Sequence, residues 1–242
     1  MLFMLYLKKC FRKEVWYCMK KFMFIFSGIP IILIFAIIIG LIITKSSTYD
    51  EMIYTTKTYT IQNELTKTDI TIEYPFFTDA KGTSITQLNE SVYEKSVTTK
   101  MEEYYNNTGL YYKGNYSIKL LEEKYISILF ESESYLNGAA YPVDDAFGIT
   151  YNVQKNEIVD LSEIAEKSSL DKIIEKKNFK VIKAVNDFLT DPVFESYMNA
   201  ESTEGYYITK DSIGLIFRLP HVAGDYAIVE ILMEQEPEYT FR

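Results

Sequence analysis

The sequence predicts an α+β fold, antiparallel sheets packed with helices, preceded by one N-terminal transmembrane helix. Three observations carry this prediction. Residues 22–43, FMFIFSGIPIILIFAIIIGLII, hold twenty-two positions without an ionisable side chain, and a helix needs about 20 apolar residues to cross the hydrocarbon core. Beyond that run, segments rich in Thr, Tyr and Ile alternate with period two, the pattern of half-buried strands. The helical patterns fall between groups of strands and do not alternate with them one for one, which argues against a doubly wound parallel sheet.

The apolar run divides the charge. Lys8, Lys9, Arg12, Lys13, Lys20 and Lys21 against Glu14 give +5 for residues 1–43, so the formal −9 of the whole chain leaves −14 beyond them. Basic residues collect on the cytoplasmic flank of a membrane helix, which predicts a short cytoplasmic arm (1–21), an anchor in the lipid bilayer (22–43) and a single-pass protein of the cell membrane whose C-terminal domain is extracytoplasmic. The run exceeds the apolar core of a cleavable signal and leads into Thr44, Lys45, Ser46 and Ser47, with no small-x-small site and no lipoprotein cysteine. Met19-Lys20-Lys21 is a second candidate start. Both cysteines, Cys10 and Cys18, precede the anchor, so the exported part has no disulfide framework, and their spacing fits no CxxC motif.

The elements follow in order. Residues 44–54 are a polar linker. Thr55 to Ile61 and Thr66 to Phe77 read as a hairpin turning at Gln62-Asn63-Glu64, with Pro75 closing the second strand. Ser84 to Asn107 spaces Ile85, Leu88, Val92 and Met101 as one face of an amphipathic helix crossing the sheet, broken at Asn106-Asn107-Thr108-Gly109. Strands follow over Leu110 to Leu121 and Lys124 to Leu136, then a loop from Asn137 to Asp145, a strand from Phe147 to Val153 and a turn at Gln154 to Asn156. Asp160 three residues before Glu163 is a helix start. Leu170 to Leu189 lines Ile173, Ile174, Val181, Ile182, Val185, Phe188 and Leu189 along one helical face, stopped by Asp191-Pro192. Tyr206 to Thr209, Ile213 to Leu219 and Tyr226 to Leu232 close the chain as strands. We expect a first α+β domain over 55–152 and a second over 153–236 that shares or extends its sheet.

Composition excludes several chemistries. His221 is the single histidine, so zinc sites of two or three imidazoles and Cys-His pairs cannot form outside the membrane. No catalytic, cofactor or metal residue is assigned. An exported part at −14 repels nucleic acid. Glu131, Glu133, Asp144 and Asp145 are the carboxylates from which a hydrolase pair or a weak Ca²⁺ site at Asp144 and Asp145 would be drawn. Tyr104, Tyr105, Tyr111, Tyr112, Tyr116, Tyr125, Tyr135, Tyr141 and Tyr151 crowd the middle, either as contact surface for a protein or a sugar or as residues that suit strands. Asn89, Asn106 and Asn115 head N-x-Ser/Thr triplets.

The strand YISILFESESY, the small-residue loop NGAAYP, the stretch FGITYNVQKNEIVDLSEI and the closing YYITKDSIGLIFRLPHVAGDYAIVEI together have a familiar order. It resembles, over residues 55–233, the paired domains of unknown function in the ectodomain of lysozyme-sensing anti-sigma factors of the RsiV type, found also ahead of the catalytic domain in PdaC-type peptidoglycan deacetylases. Gly138, Ala139 and Ala140 would let backbone approach backbone between two strands, with Gly148 and Gly224 serving tight geometry at strand ends. The sequence departs from the family at Tyr141, where members often have His. A 21-residue arm is too short for a sigma-binding domain, and no deacetylase domain is present. The resemblance implies a non-catalytic, membrane-anchored binding or sensing module of a Gram-positive cell envelope that meets peptidoglycan or a lysozyme-like protein, through Tyr135, Asn137, Gly138, Ala139, Ala140, Tyr141, Asp144 and Asp145. The alternatives are a cell-wall hydrolase using a carboxylate pair and a structural partner of another membrane protein.

Overall fold

The computed structural model describes residues 52–104, 108–184, 197–198 and 202–233. The apolar run 22–43 lies outside them, and no helix among the described residues is long and apolar enough to cross a membrane. The described elements belong to one unit, residues 51–242, and build an α+β fold.

Strands β1 (Ile53–Asn63) and β2 (Thr68–Thr78) pair antiparallel in unbroken register from Ile53↔Thr78 to Asn63↔Thr68. Their turn comes later than the sequence suggests. Asn63 Oδ1 accepts from the Leu65 and Thr66 amides at 3.0 and 3.2 Å, and Lys67 takes φ +52°, so the chain reverses over Glu64–Lys67. Pro75 sits inside β2, not at its end. It is tolerated because β3 pairs with β2 only at Asp69 to Ile72, so Pro75 lies beyond the β2–β3 ladder.

The predicted long helix forms as α1 (Thr86–Tyr93), a π-helical turn (Glu94–Thr98) and α2 (Thr99–Tyr104). The extra residue of the π turn steps the buried stripe from Leu88 and Val92 to Ser96 and Val97. Asn89 is buried in this helix. It accepts from the Phe77 amide at 2.7 Å and donates to the Phe77 carbonyl at 2.8 Å, standing in for a missing strand partner, so this N-x-Ser triplet is not a surface acceptor. The helix returns the chain to the same end of the sheet. Strand β3 (Leu110–Leu121) therefore lies parallel to β2 over Asp69↔Tyr111 to Ile72↔Gly114, the one departure from the antiparallel expectation among the described strand pairs.

Strands β4 (Tyr125–Leu136), β5 (Val143–Asn152) and β6 (Glu157–Ile158) complete a six-stranded sheet in the order β1-β2-β3-β4-β5-β6. Asp160 caps α3 (Leu161–Ile164) through a capping box, its side chain accepting from the Ser162 amide at 2.9 Å while the Glu163 side chain accepts from the Asp160 amide at 3.4 Å. Helix α4 (Lys167–Glu175) buries Leu170, Ile173 and Ile174, then stops fourteen residues short of the predicted Leu189. Lys177 adopts φ +54°, and the β-branched pair Val181-Ile182 enters strand β7 (Lys180–Lys183) against Ile228 to Glu230. Val185, Phe188, Leu189 and the Asp191-Pro192 stop lie outside the described residues.

Strands β8 (Thr203–Ile208), β9 (Ser212–Arg218) and β10 (Tyr226–Leu232) join β7 in a second sheet, order β7-β10-β9-β8. Alternation sorts its side chains. Leu215, Phe217, Ala227 and Val229 cluster with Leu170 and Ile173 of α4, while Tyr207, Ile216, Tyr226 and Ile228 cluster with Leu129 and Ala146 of the first sheet. The opposite face of the first sheet packs Ile70, Ile72, Leu110 and Tyr112 on Val97 of the π turn. The layers run helix, sheet, sheet, helix.

Where the sheets meet, β5 and β8 approach backbone to backbone. A Cβ on Gly148 would lie 1.7 Å from the Tyr206 carbonyl oxygen, so glycine is required here by a crossing of strands in mid-element and not by a strand end. Buried Ser127 joins the same seam. Its hydroxyl accepts from the Ile208 amide at 2.9 Å and lies 3.0 Å from Thr150 Oγ1.

Candidate functional site

The β4–β5 hairpin carries most of the residues singled out in the sequence. Leu136 ends β4, and the chain turns through Asn137, whose amide donates to the Gly109 carbonyl at 2.7 Å, and Gly138 at φ +94°. The Ala139 amide donates back to Leu136 at 2.8 Å, and the Tyr135 hydroxyl donates to the Ala139 carbonyl at 3.1 Å. Asn137 to Tyr141 are exposed, and a Cβ at Gly138 would meet nothing within 4 Å. The expectation that Gly138, Ala139 and Ala140 serve a close backbone approach is thus corrected. Gly138 is needed for its left-handed turn, and the close approach belongs to Gly148.

The loop is shorter than predicted, because β5 begins at Val143. Asp144 and Asp145 consequently stand in a strand, opposite Glu133 and Ser132. Consecutive strand residues point to opposite faces, so these two carboxylates part ways and cannot share a Ca²⁺. The Asp144 amide donates to Asp225 Oδ2 at 2.9 Å. Asp145 faces the helical layer, where Lys100 Nζ approaches to 2.6 Å, and Arg218 from the end of β9 reaches to 3.6 Å. Burial draws the Lys100 ammonium down, but the hydrogen bond and charge of Asp145 outweigh it and hold its pKa above the usual lysine value.

Asp225 was not singled out by the sequence, yet it organises this end of the molecule. It follows Gly224 (φ +92°) in the short connection between β9 and β10 and itself takes φ +67°. One carboxylate oxygen receives the Asp144 amide, and the other lies 2.8 Å from Nδ1 of His221. The His221 ring in turn sits 5.5 Å from the ring of Tyr141. One aspartate therefore ties the hairpin of the first sheet to a connection of the second. The available signal was its left-handed position after glycine, where Asp and Asn are the tolerated side chains.

Glu131 and Glu133 share a face of β4 with Asp144. Glu131 points to the second sheet and accepts from the Tyr226 hydroxyl at 2.6 Å and from Lys183 at 2.9 Å, while Lys183 also touches the Tyr226 hydroxyl. Burial raises the Glu131 pKa, but these two donors more than offset it and leave it below the ordinary value. Among the described residues no three His, Cys, Asp or Glu side chains are grouped to hold a metal ion.

The tyrosines divide. Tyr112 and Tyr151 are buried, the Tyr112 phenol pushed up to about 12 chiefly by burial. The Tyr116 hydroxyl bonds Thr56 at 2.8 Å. Tyr111, Tyr135 and Tyr141 are outward, 39, 37 and 66% exposed, and Tyr111 stands directly opposite Tyr135 across β3 and β4. Leu136 and Val143 are exposed as well, on the opposite face of the strands from Tyr111 and Tyr135. A separate groove of about 380 Å³ runs along the β5 and β8 crossing, lined by Phe147, Ile149, Val159, Leu161, Gly205 and Tyr206 among others.

No protein-family model matches the sequence, and no curated protein matches it. Among solved structures, the chain is similar to a DUF3298 family protein from Pseudomonas aeruginosa, with a TM-score of 0.48 at 9% identity over 78% of this chain and 93% of that one. It is also similar to a member of the DUF3298 family from Bacteroides fragilis, with a TM-score of 0.53 at 13% identity over 80% of this chain and 95% of that one. At that identity the likeness speaks to architecture, and the two-sheet α+β fold described above is the fold of that Bacteroides protein.

Proposed function

We propose that this chain is a membrane-anchored, extracytoplasmic binding or sensing module of the cell envelope, non-catalytic, of the kind carried by RsiV-type sensors and PdaC-type deacetylases. Its ligand is a cell-wall glycan or a lysozyme-like protein. One observation carries the reading. Tyr135 and Tyr141 stand outward at the end of the first sheet, on a hairpin that Asp225 fastens to the second sheet, with Tyr111 of β3 outward directly opposite Tyr135. Aromatic rings with polar tips, held on a rigid support, bind with little loss of side-chain entropy. The formal −14 beyond residue 43 favours a cationic partner surface over an anionic polymer.

The engagement of the carboxylates supports the non-catalytic reading. A glycosidase pair needs two carboxyl groups facing one cleft at about 5–9 Å. Strand alternation sends Asp145 to the opposite face from Glu131, Glu133 and Asp144, Glu131 is already held by Lys183 and Tyr226, and Glu133 and Asp144, directly opposite each other across β4 and β5, are both exposed on the surface.

The test is retention of the full chain, in nanodiscs, on insoluble peptidoglycan and on immobilised lysozyme. Retention on one of them, reduced at least tenfold by Tyr135→Ala with Tyr141→Ala, is the expected result. Absence of wild-type retention on both, or retention indifferent to the two tyrosines, would refute the proposal.

A further inference from the structure

Four sheet edges exist among the described residues, and three are blunted. β6 has two residues. β7 has four, with a lysine at each end, and β8 runs against β5 at Gly148 and Tyr206. The fourth edge is β1. It is eleven residues long, exposed along nearly its whole length, paired to β2 without a bulge, and free of proline and glycine, with Lys57 its one charge. Nothing among the described residues pairs with its outer side. A long, regular, β-branched edge is a template for another strand, and proteins that must avoid pairing protect such edges with charge, proline or bulges.

We propose that the outer edge of β1 is a docking surface for a second copy of this chain, the two β1 strands pairing antiparallel about a two-fold axis through Thr58. The composition of the strand selects this occupant and this register. A two-fold axis normal to the sheet places some residue opposite itself, so the choice is which residue. Thr58 is the midpoint of Ile53–Asn63, and only a register centred there uses all eleven positions. It sets Thr56 opposite Thr60 of the second copy and Lys57 opposite Tyr59, which gives threonine pairs on one face and an ammonium beside a ring on the other. Centring one residue earlier would set Lys57 against itself, two like charges in direct opposition. Self-complementary pairing continues the six-stranded sheet into twelve strands without a new charge conflict.

The test uses the full chain in lipid bilayers with Cys10→Ser and Cys18→Ser as background. Directly opposed residues in an antiparallel pair have Cα atoms about 4.5–5.5 Å apart, within disulfide reach. Mild oxidation of Thr58→Cys should give a covalent species of twice the 28.2 kDa chain mass. Thr56→Cys alone, whose two copies would lie about 14 Å apart along the strands, should not; mixed with Thr60→Cys it should. Thr58→Lys should weaken self-association at least tenfold by energy transfer between labelled copies, with thermal unfolding unchanged. A Thr58→Cys chain that stays monomeric, crosslinks no better than Thr56→Cys alone, or links to a different protein overturns the proposal.

Discussion

Replacing Gly148 by alanine probes the crossing on which the architecture depends. The new methyl would stand 1.7 Å from the Tyr206 carbonyl oxygen and 2.5 Å from its carbonyl carbon, and both are backbone atoms that no side-chain rotation can move. Ordinary contact requires roughly twice that distance, so β5 and β8 must separate by about 1.5 Å. Forcing a methyl into a packed seam costs about 1–3 kcal/mol when neighbours can adjust. Here the adjustment also stretches the bond from the Ile208 amide to Ser127, and a buried donor left without a partner costs about 1–3 kcal/mol more. We expect a loss of about 3 kcal/mol or above, measured as a lower urea midpoint at unchanged slope. Against a typical total of about 5–15 kcal/mol this is a large fraction. Gly138→Ala is the matched control: its methyl meets nothing within 4 Å, and only its φ of +94° opposes the change, at about 1–2 kcal/mol. If Gly148→Ala proved no more destabilising than Gly138→Ala, the two strands would not cross there, and the reasoning about the inter-sheet seam would fail.

Two further perturbations test the hairpin and the acidic cluster. Because the Glu131 pKa lies below its ordinary value of 4.5, its carboxylate contributes stability above that pH and the contribution disappears as pH falls through the folded pKa. Glu131→Gln should therefore be less stable than wild type at pH 7, with the gap closing as pH falls below the ordinary 4.5 in chemical denaturation across pH; a gap that widened with acid would show that Lys183 and Tyr226 do not hold the charged form. Asp225→Ala removes the acceptor of the Asp144 amide and the partner of His221 together, so amide exchange at Asp144 should accelerate at least tenfold while buried amides such as Ile208 keep their protection; equal protection at Asp144 would mean that the hairpin is held some other way.

Period-two alternation located the strands because each lies in a half-buried sheet where one face must be apolar, and the Asp160 capping box was readable because both of its partners are local. What failed was arbitration between periods. Ile173, Ile174, Val181 and Ile182 satisfy a helical face, yet Lys177 turns left-handed and the last two residues enter β7. The decision rests on pairing with Ile228 to Glu230, nearly fifty residues away, which no local window contains. The parallel β2–β3 pair was equally hidden. A crossover helix of nineteen residues, Thr86 to Tyr104, fixes strand direction, and composition says nothing of direction.

The candidate site was legible as a list and illegible as a geometry. Tyr135, Asn137, Gly138 and Tyr141 do share one hairpin end, because a short loop keeps sequence neighbours together. Asp144 and Asp145 do not act together, because extending β5 back to Val143 turns adjacency in sequence into opposition across a sheet. Asp145 is thereby committed to Lys100 of the helical layer and to Arg218 at the end of β9, and Asp144 offers its backbone, not its carboxylate, to the partner that matters. That partner, Asp225, lies eighty-one residues on. Its effect is mechanical: by fastening the hairpin to the β9–β10 connection it makes the exposed Tyr141 ring, with His221 against it, part of the second sheet as much as of the first. The exposed Tyr141 ring therefore stands on a surface tied to both sheets, which join further in at the Gly148 crossing, the Ser127 bond and the Glu131–Tyr226 bond.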